Sequence, residues 1–239
     1  MIPLHDDNPT RIFPYVTVGV ILACTLAFLW QASLGQQANR AIAYSLGLIP
    51  AVITHRLQLP GELALVAPSL TIVTSMFLHG GFLHLAGNML YLWIFGNNVE
   101  DAMGHGRFLV FYLVCGSAAA LGQVLQDPAS QIPMIGASGA ISGVLGAYLL
   151  LYPHARVLVL LPLGFFVYMV RIPAGWVLGL WFALQLLSSV LISEQGGGGV
   201  AWFAHIGGFI AGLILIPVFK RRGVKLFQPP RRPDIYSEE

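Results

Sequence analysis

The chain has 239 residues, 56% hydrophobic and 9% charged, with twelve Lys and Arg against ten Asp and Glu. A soluble domain carries about 25% charged residues, so this chain cannot clothe a water-soluble globule, and its apolar content excludes a disordered one. A net charge of +2 offers nucleic acid no field, and the two cysteines, Cys24 and Cys115, lie inside apolar runs rather than in a disulfide framework.

Crossing about 30 Å of hydrocarbon takes about 20 mostly apolar residues. In chain order, residues 1–12 read as a short cytoplasmic N-terminus, followed by an apolar run from Phe13 to Leu34. That run is too long, and too poor in flanking cations, for a cleaved signal peptide. Leu63 to Leu78, uncharged and carrying Pro68, reads as part of a long, partly inserted loop. Spans are then expected at Gly81 to Val99, Phe108 to Leu125, Met134 to Tyr152, Ala174 to Ser193 and Val200 to Phe219. Val157 to Val170 is apolar but broken by Pro162 and Gly164, and its length suits an interfacial or re-entrant piece. Residues 220–239, with Pro229, Pro230 and Pro233, read as a basic, disordered cytoplasmic tail whose start stays near anionic headgroups. The fold class expected is an all-α polytopic membrane protein, a six-transmembrane-helix bundle over residues 13–219.

Charge arithmetic sets the orientation. With six crossings, one side holds Arg11, Arg107, Arg156, Arg171, Lys220, Arg221, Arg222, Lys225, Arg231 and Arg232, and the other only Arg40 and Arg56. The positive-inside rule then puts both termini in the cytoplasm. A seventh span would strand the C-terminal cations outside.

Polar groups inside spans are expensive and mark function by default. Four stand out: His84, Asn88, Ser138 and His205. Singly, each has an ordinary packing role, a Ser in a Gly-rich helix above all. Jointly they share one depth, because the second, fourth and sixth spans all run inward and each carries its polar group near its outer end. His84 and Asn88, four residues apart, stack on one helix face. Gly139, Ser142, Gly143 and Gly146 follow Ser138, and Gly208 and Gly212 follow His205 on one stripe. Such small-residue faces let backbones approach closely in lipid, and a close crossing of these two spans would aim His205 at Ser138. From Ser138 to Tyr152 is only about 22 Å of helix, so Met134 to Ala137 are expected to descend as irregular backbone into a wet cavity.

A serine hydroxyl needs a base to become a nucleophile, and His205 can take its proton and return it to a leaving amine. The aspartates lie outside the apolar cores, and Glu100 sits at an inner boundary, so a Ser–His dyad is expected rather than a triad. Unpaired N–H groups at the helix start, with His84 and Asn88, can receive the oxyanion. A zinc site is disfavoured, since His79 and His84 lack the His-Glu-x-x-His pattern, and no buried carboxylate pair supports an aspartyl mechanism.

These pieces resemble the rhomboid family of intramembrane serine proteases. Gly136-Ala137-Ser138-Gly139 is similar to its Gly-x-Ser-Gly, and His84-Leu85-Ala86-Gly87-Asn88 to its His-x-x-x-Asn. Ala204-His205-Ile206-Gly207-Gly208 lies at the start of the last span, and Glu100 with Gly104 resembles its acidic and Gly pattern. The similarity covers about Leu63 to Phe219. It implies Ser138 as nucleophile, His205 as base, and His84 and Asn88 in the oxyanion hole, with no cofactor and no metal. It also implies transmembrane protein substrates that enter laterally and are cut near the extracytoplasmic face. From the topology, and with no organellar transit peptide visible, the bilayer is expected to be a bacterial plasma membrane. Gly196 to Gly199 would form a lid over the site. One departure is visible: where some members carry a Tyr against which the base packs, this chain has Ser142, so His205 is held otherwise, by Trp202 or a hydrogen bond. The alternatives are a catalytically inactive, client-binding relative and a small-solute transporter. The second would show repeats or a polar path to the cytoplasmic side, and neither is evident.

Overall fold

Nineteen residues of high apolar content and no charge, Tyr15–Ser33, form helix α1. It is followed by a polar, amphipathic helix α2, Gly35–Leu46. The structure, a computed structural model, describes residues 1–164, 166–193 and 201–229. Next come helices α3 (Phe82–Met103), α4 (His105–Gln126), α5 (Ser138–Leu151), α6 (Ala174–Ser193) and α7 (Trp202–Phe219). Helix α3 carries a wide π turn at Leu92–Gly96. The lid expected at Gly196 to Gly199 lies outside the described residues.

By length and composition, α1, α4 and α7 can each cross a bilayer, and a bent pair can count as a fourth crossing. That pair joins the short turns of Pro68–Phe77 to α3 at 83°. The break falls at Leu78–Gly81, where the backbone turns extended and Gly81 starts the new helix. Helices α5 and α6 are apolar but shorter by the same measure.

The all-α expectation needs one correction. Ile2–Asp6 is strand β1, and the stretch read as interfacial is a hairpin of β2 (Arg156–Leu163) and β3 (Phe166–Pro173). The three strands form an antiparallel sheet in the order β1-β2-β3. The sequence Arg156-Val-Leu-Val-Leu-Leu is rich in β-branched and aliphatic residues that suit a pleat, and Gly164 supplies a φ of +62° at the reversal. The N-terminus therefore reaches the α5–α6 connection by backbone pairing.

The expected disordered tail is also corrected over its first part. The N–H groups of Phe227 and Gln228 donate to the carbonyls of Leu150 and Leu151 at 2.7 and 2.8 Å. Arg221 pairs with Asp101 at 3.2 Å, and its N–H donates to the Ala102 carbonyl at 2.9 Å. Asp101, outside the apolar cores in sequence, and Glu100, at an inner boundary, are both buried. Glu100 accepts from the Val16 and Thr17 N–H groups and the Thr17 hydroxyl at 2.7–2.9 Å. The carboxylate thus satisfies donors that the start of α1 would leave orphaned. All these ties gather at one end of the bundle, together with Asp6, which accepts from the Tyr148 hydroxyl at 2.6 Å.

At the other end the helices close on glycine. A methyl group on Gly208 would overlap the carbonyl of Gly139, and one on Gly212 the carbonyl of Gly143. Only hydrogen at these Cα atoms lets α5 and α7 lie backbone to backbone, the contact geometry that small residues allow in lipid. That crossing positions the site.

Candidate active site

Ser138 is the first residue of α5 and His205 lies in the first turn of α7. His205 Nε2 stands 2.8 Å from Ser138 Oγ, within hydrogen-bond reach. The other ring nitrogen, Nδ1, lies 2.7 Å from Oε1 of Gln185 on α6. Among the described residues no carboxylate hydrogen-bonds this imidazole. Trp181, one turn before Gln185, lies 6.0 Å from the His205 ring at 40°, and Trp202 meets it edge-on at 6.2 Å. The hydroxyl of Ser142 donates to the Ser138 carbonyl at 2.7 Å. The imidazole is thus held by Gln185 and Trp181 of α6 as well as by its contact with Ser138 on α5.

His84 and Asn88 occupy the first two turns of α3. The Gly80 N–H donates to His84 Nδ1 at 3.3 Å, which leaves the proton on Nε2. That nitrogen faces Gly136: a Cβ built there would sit 2.9 Å from it and 3.7 Å from Ser138 Oγ. Gly136 itself has φ +131°, a backbone state that favours glycine. Its N–H donates to the Ser75 carbonyl at 2.9 Å, tying the pre-Ser138 segment to the bent turn before α3. Asn88 is buried, and its amide donates to the His84 carbonyl at 3.0 Å. His79 packs edge-on against His84 at 5.2 Å.

Ser138, His205, His84, Asn88 and Gln185 line one cavity of about 860 Å³. Its size suits a ligand of several residues. The segment 134–137 that descends into it is non-helical, and Met134 bridges to Leu48 through backbone hydrogen bonds at 2.7 and 3.0 Å. The arrangement provides a hydroxyl with a base in contact, and N–H donors of helix α5 and His84 on the far side of Gly136. Sequence reasoning missed Gln185 and Trp181. The signal for the first was present: Gln185 is the one amide in a helix of apolar residues and serines, and a polar side chain at that depth needs a partner.

The Rhomboid domain family matches residues 68–222, more than half of the chain. The chain belongs to the rhomboid family, whose members are multi-pass integral membrane proteins. It is 33% identical over 157 residues to Rhomboid protein 1, mitochondrial, of Saccharomyces cerevisiae, covering 62% of this chain and 41% of that protein. With Rhomboid protease GluP of Bacillus subtilis it shares 36% identity over 141 residues, 59% of this chain and 24% of that protein. With the bovine (Bos taurus) Presenilin-associated rhomboid-like protein, mitochondrial, it shares 29% over 161 residues, 64% of this chain and 38% of that one. The chain thus spans less than half the length of these curated relatives.

Proposed function

We propose that this protein is an intramembrane serine endopeptidase that cuts transmembrane-anchored proteins near the extracytoplasmic face, with Ser138 as nucleophile and His205 as base. The observation that carries this reading is the 2.8 Å approach of His205 Nε2 to Ser138 Oγ inside a cavity of about 860 Å³. Ser138 Oγ attacks the scissile carbonyl carbon as its proton passes to Nε2. The tetrahedral oxyanion is received by the N–H groups at the start of α5, with His84 Nε2 and the Asn88 amide as side-chain donors. Collapse breaks the C–N bond, and the imidazolium returns its proton to the leaving amine. Water, deprotonated by the same imidazole, then hydrolyses the acyl-serine. Asn88 donates one of its two amide hydrogens to the His84 carbonyl, which leaves the other for the oxyanion.

Six crossings with both termini cytoplasmic complete the reading. The shared end of the bundle supports it: β1, the α3–α4 junction, the hairpin and residues 220–228 meet there, as an even number of crossings between them requires. The cations Arg156, Lys220, Arg221, Arg222 and Lys225 lie in the same segments. On that orientation Ser138 faces outward. The 14 residues of α5 cover about 21 Å, which leaves the serine below the outer surface of a hydrocarbon layer about 30 Å thick.

The test is reconstitution with a transmembrane substrate and labelling by a fluorophosphonate. Cleavage and labelling are expected to vanish in Ser138→Ala and in His205→Ala. Cleavage persisting in Ser138→Ala would overturn the assignment.

A further inference from the structure

We infer that Gln185 is a positioning residue for the base: its side-chain oxygen accepts the Nδ1 proton of His205 and fixes the imidazole in the tautomer whose bare Nε2 faces Ser138. The inference rests on the Ser138–His205 reading and extends it from a pair to a relay of three neutral groups.

The geometry is collinear in function. Gln185 Oε1 to Nδ1 is 2.7 Å, and Nε2 to Ser138 Oγ is 2.8 Å, so both ring nitrogens are engaged and the ring is held from two helices at once. A neutral imidazole has one N–H and one bare nitrogen, and the partner of one nitrogen decides the role of the other. An amide oxygen can only accept, so with Oε1 facing it Nδ1 carries the proton and Nε2 is left free to take the serine proton. With the proton on Nε2 instead, the ring would donate to Ser138 and could not act as a base. Gln185 is buried, although the flanking Leu184, Leu186 and Leu187 face outward and are 44–54% exposed. The chain therefore places an amide, costly in lipid, at the one inward position of this turn that reaches His205. Trp181 and the stacked pair Phe182–Phe209, 4.3 Å apart, lock the same face of α6 against α7. The amide oxygen orients the ring as a carboxylate oxygen would, without adding a charge to a low-dielectric setting.

Two variants and one spectrum test this. Gln185→Leu keeps the side-chain bulk and is at home in lipid. Its kcat is expected to fall about 10- to 100-fold with KM nearly unchanged, because part of the advantage of a positioned base is forfeited. Gln185→Glu, which restores an acceptor oxygen, should recover at least several-fold of that loss. In histidine-¹⁵N-labelled protein, the resonances removed by His205→Ala should show Nδ1 protonated and Nε2 bare in the native chain, and a mixture of tautomers in Gln185→Leu. Native kcat in Gln185→Leu, or an Nε2-protonated His205 in the native protein, would overturn the inference, and the spectrum decides it even where a variant fails to fold. Failure of the serine mechanism would show separately, as cleavage that survives Ser138→Ala.

Discussion

At the scale of single residues, the site depends on atoms that are absent as much as on those present. Gly136 combines a φ of +131° with a Cα that faces His84 Nε2. Alanine there is strained twice, once in the backbone and once by a Cβ 2.9 Å from the ring. The ring cannot retreat freely, since its other nitrogen accepts from Gly80 and His79 stands against it. Gly136→Ala is therefore expected to displace His84 and lower the rate of fluorophosphonate labelling by about 100-fold, the order of one lost oxyanion donor. Overall stability should fall by only about 1–3 kcal/mol. Labelling at the native rate would mean that His84 has no part in receiving the oxyanion. Ser138, His84, Asn88 and His205 were legible as candidates because a polar group in an apolar span is conspicuous. Gln185 obeys the same rule but has no motif around it, and only the proximity of α6 to α7 gives it a purpose.

At the scale of elements, the crossing of α5 and α7 carries the Ser138–His205 contact. Gly212 lies two turns beyond His205 and abuts the Gly143 carbonyl, so any side chain there must push the helices apart. Gly212→Ala is expected to lower the melting temperature, at a cost of about 2–3 kcal/mol for overpacking, and to reduce labelling in parallel as Nε2 leaves Ser138. Gly179 on α6 has open space within 4 Å of a built Cβ, and Gly179→Ala should leave both readouts intact or raise stability slightly. Equal behaviour of the two variants would show that the crossing is not close. This stripe was readable as spacing, because 3.6-residue periodicity places Gly208 and Gly212 below His205. The hairpin was not. Between Arg156 and Arg171 its residues are mostly apolar, as those of an interfacial segment would be, and its third strand comes from Ile2–Asp6, about 150 residues earlier in the chain. Pairing at that separation leaves no local trace. The burial of Glu100 and Asp101 was equally hidden, since their partners are the backbone at the start of α1 and Arg221.

At the scale of the molecule, the end opposite the site is tied by polar groups, and one of them makes the tie depend on pH. Asp6, on β1, is buried beneath the Tyr148 hydroxyl, and burial pushes its carboxyl from about 3.8 up to about 7, against the opposing pull of that hydrogen bond. A carboxyl whose folded value lies above its unfolded value keeps its proton in the native state. Its contribution to stability is full below pH 4 and drains as pH rises through 7. At about 1.4 kcal/mol per pH unit, the loss between pH 5 and pH 8 should be about 2–3 kcal/mol. Strand β1 is held to the rest of the protein by its pairing with β2 and by two buried side chains, Pro3 and Asp6, of which only Asp6 can ionise, so the loss should fall on β1 first. Amide exchange in Ile2–Asp6 is expected to rise over that pH range beyond its intrinsic acceleration, while exchange in α4 and α5 follows the intrinsic rate. Asp6→Asn keeps an oxygen acceptor for Tyr148 but cannot ionise, so it should hold β1 in place equally at both pH values. If exchange in native β1 follows only the intrinsic rate, or Asp6→Asn shows the same excess, the strand is not released by ionisation of Asp6.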